Sequence, residues 1–345
     1  MSKSKTRIAD VAAAAGVSMA TVDRVLNARG GVSESVHVRV LEAARRLKID
    51  RVLHATPGRW LRVAVLMQAP TIHFYAELAE SFEALELSLE AQHVRCGMSF
   101  YPSLEPAVVA AALREASTHA DALITVAYQH PLVNEAIADI AARMPVVTLA
   151  SDIPDSGRLA YVGSDNLAAG RVAGELMGRF IGREPGTVLV ITGSRGFLGH
   201  AEREDGFRQT IAGFAGIEVL PTAMSHEDPL STVTVVEAAL NARADLRGIY
   251  NISVGDEGVA ATLSRHTGVR PFFIGHDLTR SNTDLLARRA MDVVLEQNPG
   301  AQAAEAMQHV LASFGRAARP VTRPYPVSVV LHANLPQISR SCGEG

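Results

Sequence analysis

The chain has 345 residues, with 33 Lys and Arg against 36 Asp and Glu for a formal charge of −3, and 48% hydrophobic residues. Such apolar content excludes a disordered polyelectrolyte, and the length calls for more than one small core. Its two cysteines, Cys96 and Cys342, exclude a disulfide scaffold and offer no CxxC or His/Cys ligand spacing, so no metal or other cofactor is expected.

The charge is unevenly spread. Residues 1–60 hold 11 Lys/Arg and 5 Asp/Glu, a net of +6, whereas the other 285 residues hold 22 and 31, a net of −9. A basic head on an acidic body is the electrostatic footprint of a module that meets phosphates, with binding that weakens steeply in salt.

In chain order, Ile8, Val11, Ala12 and Ala15 recur at helical spacing and give a first helix one apolar face. Gly16 can take the positive φ of a sharp helix stop, and Val17 can plug the core beneath the turn. Ser18 is a good N-cap for a second helix whose buried side is Val22, Val25 and Leu26. Met19, Ala20, Asp23, Arg24 and Asn27 are left facing outward, as in a helix-turn-helix whose second helix enters a major groove. Residues 6–49 resemble the headpiece of LacI-type bacterial transcription regulators. The resemblance is carried by Asp10-Val11-Ala12, Gly16-Val17-Ser18 and Thr21-Val22-Asp23-Arg24-Val25-Leu26-Asn27, with Val32-Ser33 opening a third helix through Val36, Val40, Leu41, Ala44 and Leu47. It implies base reading by Met19, Ala20 and Arg24 and phosphate contacts by Ser18, Thr21 and Asn27. Asp23 stands where that family carries serine.

Residues 1–49 are therefore read as a DNA-binding domain and 50–61 as a linker, broken at Pro57-Gly58. The linker lacks the alanine-arginine-x-leucine pattern of the family's hinge helix, although Leu53 could still act as a minor-groove wedge. From residue 62 to 335 short apolar runs alternate with helical patterns, ahead of a C-terminal tail at 336–345. Strands are expected at 62–67, 122–126, 145–149, 187–192, 248–252, 271–275 and 293–295. Helices are expected near 75–92, 105–118, 132–142, 165–182, 201–213, 230–243, 255–267, 279–290 and 301–314. That rhythm implies βαβ units, and nine helices exceed one sheet, so the fold class is α/β: an all-α helix-turn-helix headpiece and two doubly wound lobes.

Ligands of doubly wound sheets sit beyond the carboxyl ends of the strands. Those ends hold His73, Phe74, Tyr75, Tyr128, Gln129, Ser151, Asp152, Arg195, Phe197, His200, Arg203, Asn251, Asp256, His276, Asp277, Gln297 and Asn298. Bidentate hydrogen-bonding groups beside aromatic faces are the chemistry that sugar hydroxyls and ring faces require. The body also resembles the ribose-binding type of periplasmic solute-binding protein, the sensor fold of LacI-type regulators. The matching runs are Tyr161-Val162-Gly163-Ser164-Asp165-Asn166 with Gly170, Glu202 to Phe207, Ile274-Gly275-His276-Asp277 and Glu296-Gln297-Asn298-Pro299. The resemblance implies a periplasmic-binding-protein-like fold in which Asp277 and Gln297 contact sugar beside the aromatic pair Phe74 and Tyr75. Asp152, Arg203 and Asn251 are secondary ligand candidates. Ala201 stands where the family has a ligand arginine, leaving His200 or Arg203 in its place. Ala150-Ser151-Asp152 replaces an aspartate-arginine pair.

No GxSxG, GxxxxGK[ST] or HExxH motif occurs, and Gly193-Ser194-Arg195-Gly196 lacks a phosphate-loop lysine, so no enzyme is expected. No basic segment followed by an apolar run opens the chain, and no stretch approaches a membrane span, so a cytoplasmic location is expected. The expectation is a DNA-binding regulator, a repressor, acting as a homodimer or higher oligomer on a pseudo-palindromic operator and switched by a small neutral sugar or polyol. The resemblance implies a dimer surface on the first lobe's outer helices, near 75–92 and 105–118. The alternative is a transport-type solute-binding protein.

Overall fold

The computed structural model describes residues 8–26, 32–47, 60–182, 185–321 and 323–336. Asn27, the linker residues Asp50 to Arg59 with Leu53 and Pro57, and residues 337–345 of the tail lie outside them.

Three short helices form the headpiece: α1 (Ile8–Ala15), α2 (Met19–Leu26) and α3 (Glu34–Arg46). Their apolar faces meet in one small core of Val11, Ala12, Ala15, Val22, Val25, Leu26, Val40, Ala43 and Ala44, with Val17 packed at its edge. Gly16 ends α1 at φ 64°, the left-handed conformation that glycine takes without Cβ strain. Ser18 accepts the Thr21 amide on its Oγ at 3.1 Å and so caps α2.

The body comprises two lobes. The first holds β1 (Leu61–Met67), α4 (His73–Glu90), β2 (Val94–Phe100), α5 (Pro106–Ser117), β3 (Ala122–Thr125), α6 (Pro131–Ala141), β4 (Val146–Leu149) and β5 (Ala160–Val162). Its sheet is parallel throughout, ordered β2-β1-β3-β4-β5. The second holds α7 (Asn166–Ile181), β6 (Gly186–Thr192), α8 (Leu198–Ile211), β7 (Ile217–Val219), β8 (Ala223–Met224), α9 (Pro229–Ala242), β9 (Leu246–Asn251), α10 (Asp256–Arg265), β10 (Phe272–His276), α11 (Arg280–Ala287) and β11 (Val293–Glu296). The chain then returns to the first lobe as α12 (Pro299–Ser313) and ends in the second as β12 (Ser328–Val330), antiparallel to β11, followed by a 3-10 turn at His332–Asn334. The second sheet runs β12-β11-β10-β9-β6-β7, with β8 beside β6.

Both sheets are covered on both faces, which is why β3, β4 and β6 are uninterrupted buried runs rather than alternating ones. In the first lobe α4 and α12 cover one face through Leu78, Phe82, Met307 and Val310, while α5 and α6 cover the other through Leu113, Val133 and Ile137. In the second, α9, α10 and α11 seal one face, and α7 and α8 the other. The α7–α8 crossing is close because Gly170 and Gly206 expose bare backbone: a Cβ on Gly170 would lie 2.0 Å from the Arg203 carbonyl oxygen.

Among the described residues the chain crosses between lobes three times, at 163–165, at 297–298, and over 314–321 and 323–327. The first and last crossings lie side by side, with Asp165 N donating to Tyr325 O and Tyr325 N to Gly163 O at 3.2 and 2.9 Å. Asp165 also caps α7 by accepting the Ala168 amide at 2.8 Å. Elsewhere the lobes meet directly. Gln129 N donates to Gly196 O at 2.8 Å, His73 Nδ1 lies 3.2 Å from Ser281 Oγ, and Tyr128 meets Phe197 edge-on.

Candidate functional site

Two sites emerge. On α2, Met19, Ala20 and Arg24 are exposed, Met19 with 57% of its surface free, while Val22, Val25 and Leu26 face the core. Thr21 is half-buried and its hydroxyl sits 2.9 Å from that of Ser18. Asp23 is half-buried too. A helix that turns a short polar-and-apolar face outward while its opposite face is pinned is the geometry of major-groove reading.

The second site is a narrow cavity between the lobes, of about 70 Å³. The first lobe contributes Ile72, Phe74, Tyr75, Val126, Ala150 and Ser151; the second contributes Phe197, Gly199, His200, Arg203, Glu227, Ile252, Ser253, Val254 and Asp277; Gln297 comes from the second crossing. Strand ends and helix starts bring these together, as doubly wound sheets dictate. Phe74 and Tyr75 meet edge-on at 5.2 Å at the start of α4, and Tyr75 accepts from Gln68 Nε2 at 2.8 Å. Asp277, which leaves β10 at φ 66°, accepts from Gln297 Nε2 at 2.7 Å. Gln297 Oε1 is buried without a partner. Arg203 is 5% exposed, and its Nε is fixed on Asn166 Oδ1 at 2.9 Å.

The electrostatics run toward neutrality. Burial pushes the Asp277 carboxyl up to about 6, against the attraction of Arg203. Burial likewise lifts Glu227 to about 7 and lowers His200 to about 3, with Arg203 adding to the latter. His200 is thus a neutral imidazole, its Nδ1 3.4 Å from Glu227 Oε1. Two carboxyls face one guanidinium in a partly apolar space, and Gln297 Oε1, with Glu227 Oε1 when that carboxyl is ionised, offers uncommitted acceptor capacity. Such a lining seeks a ligand rich in hydroxyl donors with an apolar face.

Of the seven ligand candidates, Phe74, Tyr75, Arg203, Asp277 and Gln297 line the cavity, and Asp152 and Asn251 do not. Asp152 follows β4 as expected, but its carboxylate is committed to the Arg158 guanidinium, the Thr148 hydroxyl and the Ile153 amide. Asn251 is fully buried and donates to Val254 O at 3.1 Å and Asp256 Oδ1 at 2.7 Å, shaping the start of α10 instead of facing ligand. Asp256 itself is held by Asn251 and Asn282 and is raised by burial to about 7. Arg195 points outside, near Glu204 at 3.4 Å, and His276 is buried against Tyr250 at 2.8 Å. Ser253 and Glu227 were not legible as ligand candidates. Glu227 follows a strand of two residues, too short to mark a strand end.

Comparison with known proteins agrees with this architecture. The periplasmic binding protein domain matches residues 63–314, and the family of bacterial regulatory proteins of lacI type matches residues 7–48. The chain belongs to the periplasmic binding protein domain family. At its head it carries a lacI-family helix-turn-helix domain.

The HTH-type transcriptional regulator DegA of Bacillus subtilis is 36% identical over 104 residues, 29% of this chain and 31% of that protein. The ribose import binding protein RbsB of Haemophilus influenzae is 24% identical over 177 residues, 49% of this chain and 59% of its own length. The chain therefore spans from about a third to three-fifths of these relatives. A solute-binding protein of an ABC transporter from Burkholderia graminis, solved with D-arabinose, superposes with a TM-score of 0.74 at 23% identity, covering 81% of this chain and 98% of that one. The glucose-galactose binding protein GanP of Geobacillus stearothermophilus superposes at 0.73 with 20% identity, covering 81% and 100%. These likenesses show the two-lobed fold.

Proposed function

We propose that the protein is a sugar-responsive DNA-binding transcription regulator, a repressor, that acts in the cytoplasm as a homodimer on a pseudo-palindromic operator. One observation carries the reading: a helix-turn-helix with an exposed α2 face and an interlobe cavity lined by hydroxyl-seeking groups lie on a single chain. By likeness to the sugar-binding neighbours, the effector is a neutral monosaccharide or polyol held between lobes whose relative arrangement it biases. Linkage then requires the effector to change operator affinity by its differential affinity for the two arrangements, commonly about 1–3 kcal/mol. One headpiece touches too little DNA for tight specific binding, and pairing two across a palindrome is the usual remedy. The outer face of α4, where Leu87 is 83% exposed, is the assigned dimer surface together with α5.

Binding, not catalysis, is assigned to the cavity. Ser253 donates to the Glu227 carboxylate at 3.3 Å rather than to an imidazole, so it lacks the adjacent base that activates a nucleophile. No group of His, Cys, Asp and Glu among the described residues is arranged to hold a metal. No helix of the described residues is long and apolar enough to cross a membrane. The fold by itself equally favours a solute-binding protein for transport, and the headpiece separates the two. The test is selection of genomic fragments by the purified protein, followed by footprinting with and without neutral sugars. A protected palindrome whose occupancy shifts with one sugar supports regulation. Sugar binding with no retained fragment at low salt returns the chain to the transport class.

A further inference from the structure

Glu227 sits in the tight turn between β8 and α9, where it and His226 both take left-handed backbone, at φ 58° and 54°. Two consecutive non-glycine residues in that region are uncommon, and here they turn the Glu227 side chain inward, into the wall of the cavity. The carboxyl is then fixed on one side only. Ser225 Oγ lies 2.8 Å from Ser253 Oγ, and Ser253 Oγ donates to Glu227 Oε2 at 3.3 Å. Oε1 faces His200 Nδ1 at 3.4 Å without hydrogen-bond geometry, and neither buried atom has another partner. Space for Oε1 exists only because residue 193 is glycine: a Cβ there would fall 1.8 Å from it. Phe197 packs on the His200 ring at 5.5 Å and holds it in place. A buried acceptor positioned this carefully and left unpaired is costly until a donor reaches it.

We infer that Glu227, backed by His200, is the specificity-determining edge of the cavity, accepting a hydroxyl hydrogen from a neutral cyclic sugar and rejecting the same sugar when it carries a carboxylate or phosphate. The inference rests on the sugar-sensing reading above. Asp277 presents a second carboxyl to the same space, and the guanidinium facing them, Arg203, already spends its Nε on Asn166. Above about pH 7, where both carboxyls are ionised, an anionic substituent placed near Glu227 would meet like charge in a low-dielectric site, which costs far more than in water. A hydroxyl there finds both an acceptor and, in His200, a second polar neighbour. Sites built to hydrogen-bond a particular hydroxyl reject ligands that cannot supply it, because the protein's own group is then left unpaired.

The test is titration calorimetry on the full-length protein with D-glucose, D-galactose, D-arabinose, D-allose and D-tagatose, beside D-glucose 6-phosphate, D-glucuronate and D-glucosamine. Wild type, Glu227→Gln and Gly193→Ala are compared, each first shown to be folded by its melting curve. At least one neutral sugar should bind, with the phosphate and the uronate at least tenfold weaker. Glu227→Gln should weaken that sugar at least tenfold and narrow the discrimination against anions; Gly193→Ala, which displaces the carboxyl without removing it, should act in the same direction. A folded Glu227→Gln that binds the sugar within twofold of wild type overturns this inference alone, as does binding confined to glucosamine or to an anionic sugar. If no sugar of any kind binds wild type, the sugar-sensing reading falls and takes this one with it.

Discussion

The crossing of α7 over α8 offers a perturbation whose sign is contested between two effects. Alanine is the better helix former, so Gly170→Ala in an open helix would gain up to about 1 kcal/mol. Here the new Cβ would lie 2.0 Å from the Arg203 carbonyl oxygen and 2.8 Å from its carbonyl carbon. Ordinary contact begins near 3.4 Å, so the two helix backbones must part by roughly 1 Å, and backbone cannot rotate away as a side chain would. Overpacking of this kind costs about 1–3 kcal/mol, and backbone opposition puts it at the upper end. The net is a loss of about 2 kcal/mol, or about 4–8 °C in Tm for a domain of this size. Because α8 carries His200 and Arg203 into the cavity, the same displacement should weaken effector binding at least tenfold while the headpiece stays folded. Differential scanning calorimetry and effector titration read both quantities. Gly97→Ala is the control, since a Cβ there meets nothing within 4 Å. A Gly170→Ala protein as stable as wild type, with unchanged effector affinity, would refute the close-crossing argument.

Further outcomes are equally specific. Arg24→Ala should relax base preference at one position of each half-site, by about 1–3 kcal/mol of discrimination, in competition binding against single-base variants; uniform weakening would make Arg24 a phosphate clamp. Asp277→Asn should weaken effector binding tenfold or more, whereas Asp152→Ala should lower Tm through loss of its Arg158, Thr148 and Ile153 contacts and leave effector affinity within twofold. Burial lifts Glu227 and Asp256 to about 7 and Asp277 to about 6, while in the unfolded chain such acids titrate near 4. Between about pH 4 and 7 the folded protein therefore binds more protons than the unfolded one, so stability falls as pH rises through that window and levels off above it. Melting temperatures recorded without sugar from pH 4.5 to 8 check the slope, and a flat profile would count against it. Sedimentation at micromolar concentration should give a dimer, and a monomer that still protects a whole palindrome would refute the pairing argument.

Much of this architecture is legible in the chain because its physics is local. The headpiece core is written in the helical spacing of Val11, Ala15, Val22 and Val25, and the strands β1, β3, β4, β6, β9, β10 and β11 in short, largely apolar runs. The edge strand β2 escapes such pattern reading because Arg95, Gly97 and Ser99 alternate with half-buried residues, as an edge requires. Strands β5, β7, β8 and β12 are too short to carry a period. Position at a strand end locates a side chain without orienting it: Asp152 turned to Arg158, six residues on, and Asn251 turned to the start of α10. Glu227 reaches the cavity through two left-handed residues, and no side-chain pattern encodes such a turn. Nor does periodicity reveal that α12 belongs to the first lobe, because its packing partners on β1, β4 and α4 are more than a hundred residues away.

That last placement bears on synthesis. The first lobe's strands are complete when Val162 has left the ribosome, yet the apolar face of β1 and β4 is covered in part by Ala303, Ala306, Met307 and Val310 of α12. At about 5–20 residues per second, the intervening stretch of roughly 150 residues takes on the order of 10–30 s to emerge. Throughout that interval a nascent chain presents an unfinished sheet to whatever hydrophobic surface is near, and holding factors have something to hold. For the same reason a chain truncated before Pro299 lacks both α12 and β12, and so holds neither lobe complete.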